Sequence, residues 1–548
     1  MSPQVRAALG LGDAVAVSPA ELMRAILTAP VDLLWNGGIG TYVKAAGETH
    51  ADVGDKANDA IRVNGRDLRA KVVGEGGNLG LTQLGRIEYA RSQGRIYTDF
   101  IDNTAGVDCS DHEVNIKILV GAAVADGELT VPDRDKLLAE MTDEVAALVL
   151  RDNYEQATAL GNARAQAHSL LPVHRRMLAT MDINRELEAL PSDEELAARY
   201  EQGEGLSAPE FAVLLAYVKI GLEREVLADE LVDESWTTAV LSGYFPTPLR
   251  ERFAGRMAGH RLRREIISTV LVNEVVNRGG TSFVFRAMEE SGASAADVIR
   301  AYVVVRDVYR LRDLWDAAER LDNQVPTSAQ TLVYLESRRL LDRAVRWLVS
   351  NRRSPIDVAA EIARLQPGVD ALLPQLPLEL VGTERESFTG HVEAMTARDV
   401  PAELATGVVR AVYGFGLLDV LETAAVTGRE AMEVAQVYFV LSCRFQIDVL
   451  LSHISKLPRN DRWQTLARMA LRYDLYAALA GLTAEVLQST DASLPPDERV
   501  SEWERVNASS IARAGNAMGS IADSPADLAA LSVLLRQIRT LVKTSAAG

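Results

Sequence analysis

At 548 residues, with 48% hydrophobic and 24% charged side chains, the chain is long enough for roughly three or four domains and too apolar to be disordered. Its formal net charge of -18 argues against a general nucleic-acid or anionic-membrane surface, since both select basic faces. Cys109 and Cys443 are the only cysteines, which excludes a disulfide framework and fits a reducing compartment. Met1 to Pro30 lacks a basic start followed by an apolar run, and no long uncharged apolar stretch follows. A soluble, cytoplasmic protein with no membrane segment is therefore expected.

Ser18, Pro19 and Glu21 spell a capping box for a first helix, whose apolar positions run through Leu22, Ala25, Ile26 and Ala29. Val31 to Trp35 reads as a buried strand and Asn36 to Gly40 as the loop behind it. Gly38-Ile39-Gly40-Thr41-Tyr42-Val43 approaches the phosphate-cradling G-x-G-x-x-G, with Asp52 and Asp55 further on as acidic candidates. Val43 replaces the third glycine, however, and the residues that follow are polar and loop-like, so a later glycine loop is favoured. A short helix is expected over Asp55 to Val63. Two β-type runs then follow, Lys71 to Gly74 and Arg95 to Phe100. Each leads into a Gly-containing loop with one central asparagine, Asn78 and Asn103, and helical patterns leave from about Thr82 and about Asp111. Strand, loop and helix in this order describe an open parallel sheet, in which ligands sit beyond the carboxyl ends of the strands.

From Val131 onward apolar residues recur at three and four. Ser207, Pro209 and Glu210 repeat the capping box. Helices are expected from Pro248 to Asn277, Asp297 to Leu321 and Ala329 to Val349, with a corner or linker at Leu372 to Leu380 and a frayed end from Thr544. No fixed-period repeat is present.

Ser110 reads as an N-cap with Glu113 as its partner, or as a hydroxyl donor that helps a helix N-terminus hold a carboxylate. Asn78 and Asn103 each offer a donor and an acceptor, which suits a carboxamide or ribose hydroxyls, although asparagine is also a common turn residue. Asp108, Cys109, Asp111, His112 and Glu113 crowd together, but no spacing matches a recognised ligand pattern and no metal is expected. The basic runs His260 to Arg264 and His174 to Arg176 read as ion-paired faces rather than an anion site. Trp236, Trp315, Trp347 and Trp463 are expected in cores.

Three segments carry a family likeness: PVDLLWNGGIGTYVKA, AKVVGEGGNLGLTQLGRIEYA and DFIDNTAGVDCSDHEVNIKIL. Together with LSAPEFAVLLAYVKI and HRLRREIISTVLVNEVVNRGG they resemble the large bacterial NAD-specific glutamate dehydrogenases over almost the whole chain. The resemblance implies an α/β plus all-α chain: the C-terminal portion of a Rossmann-like NAD-binding domain over 1–127, then a mainly helical body in two parts, 128–370 and 371–548. It further implies Gly37, Gly38, Asn78 and Asn103 at the cofactor NAD, and Ser110 on the side-chain carboxylate of glutamate or 2-oxoglutarate, with ammonia the other product. Thr104-Ala105 stands where the smaller glutamate dehydrogenases have Ala-Gly, and Cys109 where they have Val. The family's catalytic Lys and Asp belong to segments upstream of those matched. No catalytic residue is therefore assigned here, and a fragment that is inactive alone, from a homo-oligomeric enzyme, is expected. The rivals are a non-catalytic helical regulatory or assembly module and a dehydrogenase of another amino acid.

Overall fold

The structure is a computed structural model that describes residues 1–92, 94–459, 461–513 and 527–545. It forms two compact units, Met1–Ser282 and Phe283–Gly548. Both are mostly helical, and among the described residues all four strands lie early in the first.

Two parallel pairs make up the strands. β1 (Leu33–Asn36) pairs with β4 (Val72–Glu75) in the register Leu33 to Val72 and Asn36 to Glu75; β2 (Val43–Lys44) pairs with β3 (Val63–Asn64). Val43, Val63, Val73, Leu81, Tyr89 and Ile96 form the core between them, and the Tyr89 hydroxyl donates to Ala70 O at 2.7 Å. The segment Arg95 to Phe100 is not a strand. Only Arg95 bridges to Val72, and a short helix begins at Asp99, because the Asp99 carboxylate is drawn to Arg86 and to the backbone of Leu79. The glycine-rich Gly38 to Val43 run leads into β2 rather than a helix, and Lys56–Asn58 is a single 3-10 turn.

The first-unit helices Thr104–Ala125, Thr142–Ala165, Ala208–Ala228 and Arg263–Gly279 pack on one another around Val120, Leu160, Leu215 and Val272. Capping boxes stand at Ser18–Glu21 and Ser207–Glu210 as the sequence predicts. The helix expected from Pro248 to Asn277 is instead two, Thr247–Met257 and Arg263–Gly279. They are broken where His260 turns inward to put Nε2 3.0 Å from Asn115 O. Arg263 and Arg264 pair with Asp233, so the basic run is an ion-paired face around a buried histidine.

In the second unit Ala295–Val308 is buried almost throughout, beside Thr327–Asn351 and Val358–Leu372. The pattern expected to reach Leu321 breaks at Arg310, whose φ is +49°, before Leu311–Glu319. One apolar stretch, Ala402–Thr427, has the length and composition of a membrane span, but 72% of its apolar window is buried inside the protein. It is a core segment. Trp315 and Trp347 are buried as expected, Trp236 is half-buried, and Trp463 is 75% exposed, contrary to expectation. The frayed terminus predicted from Thr544 lies outside the described residues from 546 onward.

Candidate functional site

A parallel pair of strands sends both of its following loops out at the same end, and the two loops here are built to touch. The carbonyl of Asn36, the last residue of β1, accepts from the backbone N–H groups of Gly76 (2.9 Å) and Gly77 (3.0 Å), the first residues beyond β4. A Cβ on Gly77 would stand 2.2 Å from Gly38 O, so only glycine permits this approach. Gly74 and Gly76 make room for the Trp35 indole, which lies across β4 where their side chains would be. Gly37 and Gly38 are exposed beside this junction.

The loop after β4 continues through Asn78 to Leu79, whose φ is +56°. Asn78 Oδ1 accepts a hydrogen bond from Asn103 Nδ2 at 2.9 Å. The two asparagines singled out in the sequence, 25 residues apart, are therefore partners in one cluster with the Gly37-Gly38 turn. Among the described residues no other side-chain hydrogen bond involves Asn78 Nδ2 or Asn103 Oδ1, which leaves the pair with one amide donor and one carbonyl acceptor to offer.

Four residues that sequence reasoning passed over hold this geometry. Glu75, fully buried, receives both arms of Arg86 (Nε to Oε2 2.7 Å, Nη2 to Oε1 2.9 Å), and Arg86 also reaches Asp99 Oδ1 at 3.2 Å. Asp99 Oδ2 accepts from Leu79 N at 2.7 Å and Asp102 Oδ2 from Glu75 N at 2.9 Å. The network thus clamps both ends of the Asn78 loop to the segment that ends at Asn103. Burial alone would lower the Arg86 pKa, but its bonds to Glu75 and the Glu75 and Asp99 charges raise it, so the guanidinium stays charged. Burial, aided by the Glu75 and Asp99 charges, pushes Asp102 up to about 6. The available signal was a glutamate closing an otherwise apolar strand.

Ser110 is placed differently from its predicted role as a cap. The helix starts at Thr104 with Asn103 as its N-cap residue, so Ser110 lies within the second turn and is exposed. Seven residues is nearly two full turns, which returns Ser110 to the Asn103 side of the helix roughly 10 Å further along. Gly106 and Val107, both exposed, lie between them on that side.

Residues 203–540 match the family described as Glutamate dehydrogenase, C-terminal, and residues 1–163 match Bacterial NAD-glutamate dehydrogenase, catalytic domain. The chain belongs to the glutamate dehydrogenase family. Within it, the NAD-specific glutamate dehydrogenase of Mycobacterium tuberculosis is 46% identical over 558 residues, and that of Pseudomonas aeruginosa 42% over 553, each alignment covering 100% of this chain. The Halomonas elongata protein of the same name is 41% identical over 92% of the chain. The chain spans about a third of the length of these relatives (34%, 34% and 31%). Both family matches cover the asparagine cluster or the helices that follow it.

Proposed function

We propose that this chain supplies the cofactor-side loops and the substrate-carboxylate helix of an NAD-dependent glutamate dehydrogenase. The enzyme would convert L-glutamate, NAD and water to 2-oxoglutarate, ammonium, reduced NAD and a proton. The Asn103–Asn78 hydrogen bond carries the reading, because it joins the loop at the carboxyl end of β4 to the start of the helix that bears Ser110. In this reading residues 1–127 are the C-terminal portion of a Rossmann-like NAD-binding domain, and 128–370 and 371–548 are the two parts of a helical body.

The donor set suits the cofactor. A free amide N–H and a free amide carbonyl complement a carboxamide or a ribose hydroxyl pair, and the exposed Gly37-Gly38 backbone offers close approach without side chains. NAD, when bound, supplies the hydride acceptor. The work of this chain's residues is positional: Asn78 and Asn103 orient the nicotinamide end, and the Ser110 hydroxyl donates to the far carboxylate of glutamate. The upstream-lysine chemistry implied by the family likeness is not assigned to any residue here. Cytoplasmic location and homo-oligomerisation are part of the same proposal.

The test is Ser110→Ala in active enzyme that contains this chain. Loss of one hydrogen bond to a charged group predicts a fall in kcat/KM for glutamate of roughly ten- to a hundredfold, with KM for NAD little changed. An unchanged value would favour the helical-module reading, in which this surface is structural. Comparable turnover of leucine, valine or phenylalanine would point to another amino-acid dehydrogenase.

A further inference from the structure

We infer that Asp108, His112 and Asp152 form a binding site for one divalent transition-metal ion, of the Zn²⁺ or Mn²⁺ type. Asp108 and His112 stand four residues apart on Thr104–Ala125, so both project from one face of that helix, and Asp152 projects from the neighbouring Thr142–Ala165. Their ligand atoms all lie within 4.8 Å of one another, and His112 Nε2 is 4.0 Å from Asp108 Oδ1. Ligands around such an ion sit roughly 3–3.5 Å apart, so small side-chain rotations complete the shell.

Two further observations point to a missing partner. His112 is only 2% exposed, yet neither of its ring nitrogens makes a hydrogen bond among the described residues, and 4.0 Å is too long for one. Asp108 Oδ2 is likewise buried without a partner, although Asp108 and Asp152 are themselves in hydrogen-bond contact. Two carboxylates so placed must share either a proton or a cation. The Lys219 ammonium also faces Asp152 and is the internal competitor for it.

The imidazole is held ready. Tyr244 stacks on it with centroids 4.3 Å apart and planes 15° from parallel, and the Tyr244 hydroxyl accepts from Asn115 Nδ2 at 2.9 Å. One imidazole with two carboxylates selects ions that accept both nitrogen and oxygen, which disfavours Mg²⁺. No local motif announces the site because its third ligand comes 40 residues later, from another helix. Such an ion would staple the helix that carries Asn103 and Ser110 to its neighbour.

The test is calorimetric titration of chelator-stripped 548-residue chain with Zn²⁺, Mn²⁺ and, for comparison, Mg²⁺. The expected result is one Zn²⁺ or Mn²⁺ per chain at micromolar concentration, with Mg²⁺ at least a hundredfold weaker. Asp152→Asn, which keeps a hydrogen bond to Asp108, should weaken binding at least thirtyfold and abolish the metal-induced rise in Tm, while Glu113→Gln changes neither. Co²⁺ absorption of the unmutated chain gives an independent reading: enhanced visible bands are expected from mixed nitrogen and oxygen ligation. No saturable binding up to millimolar ion, a spectrum like that of aqueous Co²⁺, or full-strength binding by Asp152→Asn would overturn the site.

Discussion

Two buried acids, Glu75 in the strand-bearing region and Asp419 in the second unit, are met in opposite ways. Around β1 and β4, Leu33 (55%), Trp35 (59%) and Ile39 (88%) stay exposed. The buried acid of the first region, Glu75, is met by a bidentate arginine. Among the described residues Asp419 in the second unit has only the Trp347 indole N–H at 2.7 Å and the Tyr438 hydroxyl at 3.4 Å, and burial pushes it up to about 7. A region that must hold loops in fixed relation uses charge to do so and leaves its outer face available.

Removing the charge compensation breaks that contrast most strongly. Arg86→Met leaves Glu75 and Asp99 buried without a counter-charge and should cost about 3–5 kcal/mol. Hydrogen exchange should show that loss over residues 33–103, with the second unit unchanged. Asp419→Asn probes the other side. Its folded pKa lies above its unfolded one, so the carboxyl binds more protons in the folded state and stability falls as pH rises from about 4 to about 7. The amide removes that loss, so melting curves should show the variant more stable than wild type at pH 8 by about 2–4 kcal/mol and nearly equal at pH 4. Equal stability at pH 8 would mean that Asp419 is ionised at no cost.

Gly77→Ala forces a methyl group against Gly38 O and should cost about 1–3 kcal/mol, separating the loops and weakening NADH binding measured by fluorescence. The smallest effect belongs to the asparagines. A double-mutant cycle of Asn78→Ala and Asn103→Ala on NADH affinity should show a coupling of about 0.5–1.5 kcal/mol, and additivity would mean that the pair does not act as one unit.

Much of the site was legible because it depends on local chemistry. The apolar run Val31 to Trp35 marked β1, although its Leu33 and Trp35 are exposed rather than buried, and Val72-Val73 marked β4, with the glycines that follow each standing out against them. Capping boxes were equally local. What escaped depends on distant partners. The Arg95 to Phe100 run looks extended until Asp99 finds Arg86 and Leu79 N. The helix break at His260 answers to Asn115, 145 residues away. Ser110 was misplaced because the helix already starts at Thr104 and Gly106 reads as loop when it is helical. Trp463 keeps a helical apolar spacing yet faces outward, and nothing in the structure explains that choice.

The indole laid across Gly74 and Gly76 has an optical consequence. Three of the six tryptophans are buried and one is half-buried, so red-shifted emission from the first unit comes chiefly from Trp35, directly beside the paired loops. A dihydronicotinamide held there would overlap that emission and quench it by energy transfer. If the proposed site is correct, Trp35 would report its occupancy, and Trp463→Phe would leave that signal nearly free of background.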